Sequence, residues 1–382
     1  MKMPMAAVVG MGFMGLTHIQ ALRRLGIPIA GLMGVDHTEG ETAAHRLNID
    51  RVYRDFDELC ADGKVDVVHL CTPNYLHYPM ARKALQSGKH VICEKPLAMN
   101  PDESRDLVEM AYERGLIGVV NYNLRFYPIC QEAHARILQG YIGEVRLVNG
   151  AYFQDWLALP TDWNWRLIAS EGGGLRAVAD IGTHWLDMVT WLTGLKIRQV
   201  MADMTTFIRT RMRPEKIPET FGGKIAAASE SAPMEVDTED AANILIRFEN
   251  DALGSVSLSQ ISPGRKNYFW WEIGGSQASL RWDQESPNYL WLGHREKLNQ
   301  ILVKDPSLMD ESVRPFVGFP GGHAEGYPDT FYQLFRLIYS ALANDTVLDP
   351  VVPTFETGHR ELLYCQAIQQ SAKESCWVTI DD

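Results

Sequence analysis

The sequence predicts an α/β protein in two parts. The first is a doubly wound parallel sheet, and the second is an α+β part with a large, mostly antiparallel open sheet. Three observations carry this reading. The first 122 residues alternate short apolar runs with helical patterns. After Asn123 the apolar runs become period-two strands joined by hairpin signals. All ten tryptophans lie beyond residue 155, five of them between Trp156 and Trp191. A chain of 382 residues also exceeds what one hydrophobic core usually holds.

In the first part, Ala6–Val9, Ile27–Met33, Val65–Leu70, His90–Cys93 and Leu116–Asn121 read as strands. Met14–Leu25, Leu76–Gln86 and Pro101–Arg114 carry apolar residues at helical spacing. Pro101, Asp102 and Glu103 form a typical first helical turn, while Gly26, Gly88 and Gly115 fall where helices should stop. Strands that are apolar on both faces, separated by helices, imply a parallel sheet covered on each side.

In the second part, a helix over Pro128–Leu138 leads to an alternating strand, Glu144–Gln154, then a Trp-rich loop and a helix over Thr183–Thr193. Strands follow at Arg198–Ile208, Ala241–Phe248, Leu253–Gln260, Tyr268–Ile273, Ala278–Trp282 and Tyr289–Leu292. Asn250-Asp251 and Gly274-Gly275 read as hairpin turns. Arg211–Asp237, with three prolines, and Asp305–Gly322 read as long loops; Glu325–Ala343 and Phe355–Lys373 read as closing helices. We therefore divide the chain at 1–122 and 123–382.

Composition excludes several classes. Lys+Arg number 36 against 48 Asp+Glu, a net charge of -12, which is the wrong sign for nucleic acid. No apolar run approaches the roughly 20 residues that span a bilayer. The six cysteines show no C-x-x-C, so reduced core cysteines in a cytoplasmic protein are expected. Residues 1–122 hold 13 Lys+Arg and 15 Asp+Glu, so -2 of the charge lies there and -10 beyond. The acidity therefore does not oppose an anionic cofactor in the first part.

Gly10-Met11-Gly12-Phe13-Met14-Gly15 matches G-x-G-x-x-G directly after the strand Ala6–Val9 and opens a helix near Met14. Gly10 permits the tight turn, Gly12 lets pyrophosphate approach the backbone, and Gly15 allows close helix–strand packing. The helix N-terminus then offers unpaired N–H groups to the phosphates. The position that should carry a ribose-binding acid is Gly34, and the nearest acid is Asp36. Asp36 either binds the ribose or caps the helix beginning near Thr38. No Arg lies between Arg24 and Arg46, which favours NAD without excluding NADP.

Three further segments follow in order: Cys71-Thr72-Pro73-Asn74 with His77, Glu94-Lys95-Pro96, and Asp180-Ile181-Gly182-Thr183-His184 with Asp187. Lys95 leaves a strand at the carboxyl edge, where it can hold a substrate hydroxyl, or it can be a surface lysine paired with Glu94. Asp180 and His184, four residues apart, can share one helix face. A histidine there can exchange a hydroxyl proton near neutral pH; the alternatives are a helix cap and a core histidine. Two clustered ligands do not make a metal site, and no metal is expected.

Together with the phosphate loop, these motifs resemble the glucose–fructose oxidoreductase / inositol dehydrogenase / MocA (Gfo/Idh/MocA) family across nearly the whole chain. The resemblance implies an N-terminal Rossmann domain and a C-terminal domain that oligomerises through its open sheet, as a homodimer or homotetramer. It implies NAD(P)-dependent oxidation or reduction of a secondary carbinol of a sugar, anhydrosugar or cyclitol. Lys95, Asp180 and His184 become the catalytic candidates, with the Lys95–Pro96 peptide typically cis. Cofactor contacts are implied for Gly10, Gly12, Phe13, Met14, Gly15, Asp36, Cys71, Thr72, Pro73, Asn74, His77, Glu94, Lys95, Asn123 and Arg166. Arg125 and Trp165 match stretches beside the active site.

Gln154-Asp155-Trp156 through Asp162-Trp163-Asn164-Trp165-Arg166 reads as a substrate lid, since aromatic faces stack on ring C–H faces while polar groups bond hydroxyls. Asp155 and Trp156 thus join Arg125, Trp165, Lys95, Asp180 and His184 as substrate-side candidates; the same tryptophans could instead fill core. Two other functions fit the motifs: a hydrolase or lyase with a transient redox cycle on held NAD, and a non-catalytic dinucleotide sensor.

Overall fold

The computed structural model describes residues 3–215 and 230–381. Its first sheet comprises β1 (Ala6–Val9), β2 (Ile29–Met33), β3 (Val67–Leu70), β4 (His90–Cys93) and β5 (Gly118–Val120), all parallel, in the order β2-β1-β3-β4-β5. Every residue of β1, β3 and β5 is buried, as their apolar runs require, and His69, the one polar member, is buried with them. Helices α1 (Phe13–Arg24), α2 (His37–Leu47), α3 (Phe56–Ala61), α4 (His77–Gln86) and α5 (Pro101–Glu113) connect the strands. Asn100 caps α5 by accepting from Glu103 N at 3.0 Å, one residue before the proline that opens it. The chain order reverses between β1 and β3, so the crevice at this switch point faces the loops after Val9 and Leu70.

The second part runs α6 (Pro128–Leu138), β6 (Val145–Phe153), α7 (Ala169–Gly172), a π-helical turn (Val178–Gly182), α8 (Thr183–Thr193) and β7 (Ile197–Thr205). Next come β8 (Thr210–Pro214), β9 (Ser231–Glu235), β10 (Ala241–Phe248), β11 (Leu253–Ser259) and β12 (Tyr268–Gly275). The chain closes with β13 (Ser279–Asp283), β14 (Tyr289–Gly293), β15 (Gln300–Val303), α9 (Tyr327–Asn344), α10 (Phe355–Glu374) and β16 (Val378–Thr379). Nine strands form one sheet, β15-β14-β13-β12-β6-β11-β10-β7-β16, antiparallel except for β6 beside β11. One face packs on α6, α8 and α10, where Trp185, Trp271 and Trp282 are at most 1% exposed. Leu147, Leu245 and Leu253 project from the other face and are about half exposed.

Two turn assignments differ in instructive ways. Asn250-Asp251 forms the expected hairpin, with Asp251 at φ 66 and Asn250 Oδ1 accepting from Ala252 N. Gly274-Gly275, however, belongs to β12, and the turn is Ser276-Gln277, closed by Gly275 N to Ala278 O at 2.9 Å. A Cβ on Gly275 would stand 2.1 Å from Ile142 O, so glycine serves close approach there. The stretch 211–237, expected as loop, contains β8 and β9, which among the described residues pair only with each other. Pro214 and Pro233 are tolerated in this two-stranded arm because neither has a second neighbour to serve. The part at 216–229 lies outside the described residues.

The last helices return to the first sheet. Phe331, Leu334, Phe335 and Ile338 of α9 share one apolar cluster with Ala6, Val8, Ile19 and Leu22. Val120 N donates to Pro353 O, and Phe355 of α10 packs over Gly118, where a Cβ would come within 2.5 Å of its ring.

Candidate functional site

The phosphate loop closes as its glycines require. Gly10 takes φ +91 and donates to Met33 O, and a Cβ there would meet Cys71 O at 2.5 Å. A Cβ on Gly15 would lie 1.9 Å from Gly10 O, so helix and loop touch through bare backbone. A Cβ on Gly12 would meet nothing within 4 Å, and α1 starts there with no side-chain cap and no acid in its first turn. An uncapped helix end facing open space over a bare glycine fits a dinucleotide pyrophosphate. Phe13 stacks on Tyr327 with centroids 6.3 Å apart, and Tyr327 Oη donates to Met14 Sδ at 3.7 Å.

At the end of β2 the acid question has a steric answer. A Cβ on Gly34 would come within 2.8 Å of the Glu39 carboxylate and 2.7 Å of Gly40 N, so no side chain can occupy the strand-end position. Asp36 caps α2, accepting from Glu39 N at 2.8 Å. It stands exposed at the same edge.

Behind β3 and β4 the loops are braced. His77 presents one ring nitrogen to Thr72 O at 2.9 Å and the other to Pro96 O at 2.7 Å. Burial lowers its pKa, against the pull of those carbonyls. Asn74 donates to Gly172 O at 2.8 Å, which ties the β3 loop to α7. Cys71 lies beside Gly10, its thiol pKa raised well above the usual value by burial, and Thr72 Oγ1 is buried without a hydrogen-bond partner. Glu94 is buried, with Oε1 against His18 Nε2 at 3.0 Å and bonded to Asn121 Nδ2. Burial works to raise its pKa, but His18, Lys95 and Asn121 outweigh it and hold it low. His18 in turn meets His69 at 2.9 Å, and His69 meets Tyr339 Oη at 2.8 Å.

The catalytic candidates converge. The Lys95–Pro96 peptide is cis. Lys95 Nζ donates to Asp180 Oδ1 and to Asp180 O, each at 2.7 Å. Arg166 Nε lies 3.1 Å from the same Oδ1, and Gln260 Nε2 donates to Oδ2 at 2.8 Å. Burial would raise the Asp180 pKa, but Arg166 and Lys95 reverse this and hold it well below the usual carboxylate range. Asp180 sits in the π-helical turn, a geometry often kept at functional sites, rather than capping α8. His184 follows in the first turn of α8, flanked by Tyr122 at 5.7 Å and Tyr152 at 6.4 Å between centroids. Its Nδ1 is buried without a hydrogen-bond partner, and burial plus the Lys95 charge pull its pKa down to about 3. At neutral pH the ring is therefore neutral, with one ring nitrogen able to accept a hydrogen bond.

Other candidates go elsewhere. Asp187, three residues beyond His184, takes a two-pronged bond from Arg125, Nε to Oδ2 at 2.9 Å. Arg125 is spent on that pair and lies over Trp191, while Asn123 donates to Thr330 Oγ1 of α9 at 2.7 Å. Asp155 Oδ2 accepts from Lys266 at 2.6 Å, and Trp156 Nε1 donates to Gln154 Oε1 at 2.7 Å. Trp165 carries the Arg166 guanidinium 4.3 Å over its ring. Trp163 is buried with Leu157, Leu167 and Val236 in a small satellite core, so that tryptophan is packing. Sequence reasoning missed Gln260, Tyr152 and Asn267, which complete the polar wall: Tyr152 Oη and Gln154 Nε2 both donate to Asn267 Oδ1. Their one signal was position at the ends of β6, β11 and the start of β12. Among the described residues no three His, Cys, Asp or Glu side chains gather as a ligand set, and no helix is long and apolar enough to cross a membrane.

Comparison with known proteins identifies the family. A model of an oxidoreductase family with an NAD-binding Rossmann fold matches residues 5–122, and the GFO/IDH/MocA C-terminal domain model matches residues 130–281. Levoglucosan dehydrogenase of Pseudarthrobacter phenanthrenivorans is 28% identical over 98% of this chain and 97% of its own. A 1,5-anhydro-D-fructose reductase of Ensifer adhaerens is 32% identical over 46% of this chain and 51% of its own. A solved levoglucosan dehydrogenase in complex with NADH and L-sorbose superposes with a TM-score of 0.89 at 27% identity, covering 100% of both chains. Matched in both its halves and along nearly its whole length, the chain belongs to the GFO/IDH/MocA family of NAD-binding oxidoreductases.

Proposed function

We propose that the protein transfers a hydride between NAD(H) and a secondary carbinol or ketone of a neutral polyhydroxylated ring, a sugar, anhydrosugar or cyclitol. The observation that carries this is the Asp180 carboxylate held between Lys95 and Arg166 beside a neutral His184. Lys95, Arg166, Asp180 and Glu94 contribute +2 and -2, so the site is balanced without a charged substrate. Lys266 and Arg125 are likewise matched, by Asp155 and Asp187. Relatives acting on levoglucosan and 1,5-anhydro-D-fructose support the ring class.

Residues 1–122 hold the cofactor, through Gly10, Gly12 and Gly15 at the pyrophosphate and the Thr72 and Glu94 edge toward the nicotinamide end. Residues 123–382 hold the substrate, with α9 and α10 returning to support the first sheet. Bound NAD supplies a hydride acceptor, and NADH a donor. Lys95 spends two of its three N–H donors on Asp180, and the third holds the reacting oxygen. His184 takes the hydroxyl proton during oxidation and returns it during reduction. Asp180 holds the Lys95 ammonium in place and stabilises the positive charge that develops on His184 when it takes the proton. The exposed sheet face carrying Leu147, Leu245 and Leu253 supports a homodimer or homotetramer, and the unpaired cysteines suit a cytoplasmic enzyme.

The test is a screen of levoglucosan, inositols and aldoses with NAD and NADP, followed by nicotinamide absorbance. Turnover of a neutral ring with NAD supports the reading. Cleavage of a glycoside without net NADH would replace it with a transient redox cycle.

A further inference from the structure

Four charged side chains outside the Lys95–Asp180–His184 group form a closed, buried set. Arg176, Arg211, Glu239 and Asp240 are each at most 4% exposed, and their charges sum to zero. Their bonds reach three different segments. Glu239 accepts from Arg176 N and from Val178 N, the latter at 2.8 Å, and so pins the start of the π-helical turn that carries Asp180. Asp240 Oδ2 accepts from Phe207 N and Ile208 N, which fixes the entry to the β8–β9 arm. Asp240 Oδ1 accepts from both Arg176 and Arg211. Arg211 Nη1 then reaches Leu157 O at 3.0 Å and Leu159 O at 3.1 Å, in the Trp-rich segment. That segment continues to Arg166, which closes the loop on Asp180.

We propose that Arg211 and Asp240 are positioning residues that set the substrate-side wall, residues 155–166, against the Asp180–His184 turn, and so govern which ring is accepted without touching it. This inference rests on the function proposed above. The middle of the wall packs on the small Leu157–Trp163–Leu167–Val236 core, and Arg211 ties it to the fold through a planar fork serving a carboxylate and two carbonyls together. A lysine cannot reproduce that fork, because its three donors radiate from one nitrogen on a flexible stem instead of spreading across a rigid plane.

The experiment is steady-state kinetics of the full chain and R211K, with the best neutral ring substrate of the wild type and one poorer ring isomer, alongside calorimetry with NADH. The expected result is a KM raised about tenfold, kcat within about threefold, NADH affinity unchanged, and reduced discrimination between the two rings. D240N, which keeps the shape and loses the charge, is measured in parallel and should move KM in the same direction, so a poorly folding R211K still leaves a readout. Folded variants with wild-type KM and selectivity overturn the inference, as does a loss confined to kcat or to NADH binding. A wild type inert on every ring overturns the functional reading and this inference with it; an active wild type with an unaltered variant overturns only the inference.

Discussion

Two glycines in one loop should fail in different ways when replaced by alanine. At Gly15 the new Cβ would sit 1.9 Å from Gly10 O and 3.0 Å from its carbon, so the helix must retreat by more than 1 Å from β1. Overpacking of that kind costs about 1–3 kcal/mol, and both thermal midpoint and NADH affinity should fall. At Gly12 the methyl meets nothing within 4 Å, and φ is -69, which alanine adopts without strain. Stability of Gly12→Ala should therefore stay within about 1 kcal/mol of wild type. The methyl nonetheless occupies the space over the helix end, and losing close approach of the pyrophosphate should weaken NADH about tenfold or more, about 1.4 kcal/mol. Differential scanning fluorimetry and calorimetric titration read the two quantities separately. If folded Gly12→Ala binds NADH as wild type does, the pyrophosphate does not cross residue 12 and the loop assignment is wrong.

Lys95→Met and His184→Ala should lower kcat by about 10²–10⁴ while NADH affinity changes little, checked by initial rates and calorimetry; an equal loss in both would make them structural. His184, with a folded pKa near 3 against about 6.5 unfolded, stays neutral in the fold while the unfolded chain takes up a proton. Its contribution is thus full above about pH 6.5 and lost as pH falls toward 3. His184→Gln should flatten the pH dependence of stability in that window, by at most about 1.4 kcal/mol per pH unit; denaturant midpoints from pH 4 to 7 test it, and an unchanged slope refutes it. Asp36→Ser keeps an N-cap but removes the carboxylate, so the thermal midpoint should hold while NAD affinity falls and preference over NADP narrows. Unchanged affinity for both cofactors would leave Asp36 as a cap alone.

Much of this was legible because it depends on local pattern. The parallel strands announce themselves as short apolar runs, and the phosphate loop, Lys95 and the Asp180–His184 pair sit where strand ends and helix starts deliver them. Short or weakly patterned elements were legible only in part or not at all. Of α2 only the start near Thr38 could be read, since its inner face is Gly40, Ala43 and Ala44; α3 is six residues long, and β15 is a four-residue exposed edge strand. The arm was hidden by its own prolines. Partners far apart in sequence were not legible at all: nothing local links His18 to Glu94, Arg125 to Asp187, or Gln260 to Asp180. The tryptophan skew was real but mixed, since Trp185, Trp271 and Trp282 are core while Trp165 stands with Arg166 beside Asp180.

The return of α9 to the first sheet also bears on how the protein is made. Phe331, Leu334, Phe335 and Ile338, which complete the apolar cluster of Val8 and Ile19, are translated about 300 residues after them. At about 5–20 residues per second, the nascent cofactor half waits of order half a minute with that surface uncovered. Chaperone occupancy during synthesis should concentrate there. Any truncation before residue 327 leaves the opening of the chain without the helix that seals it.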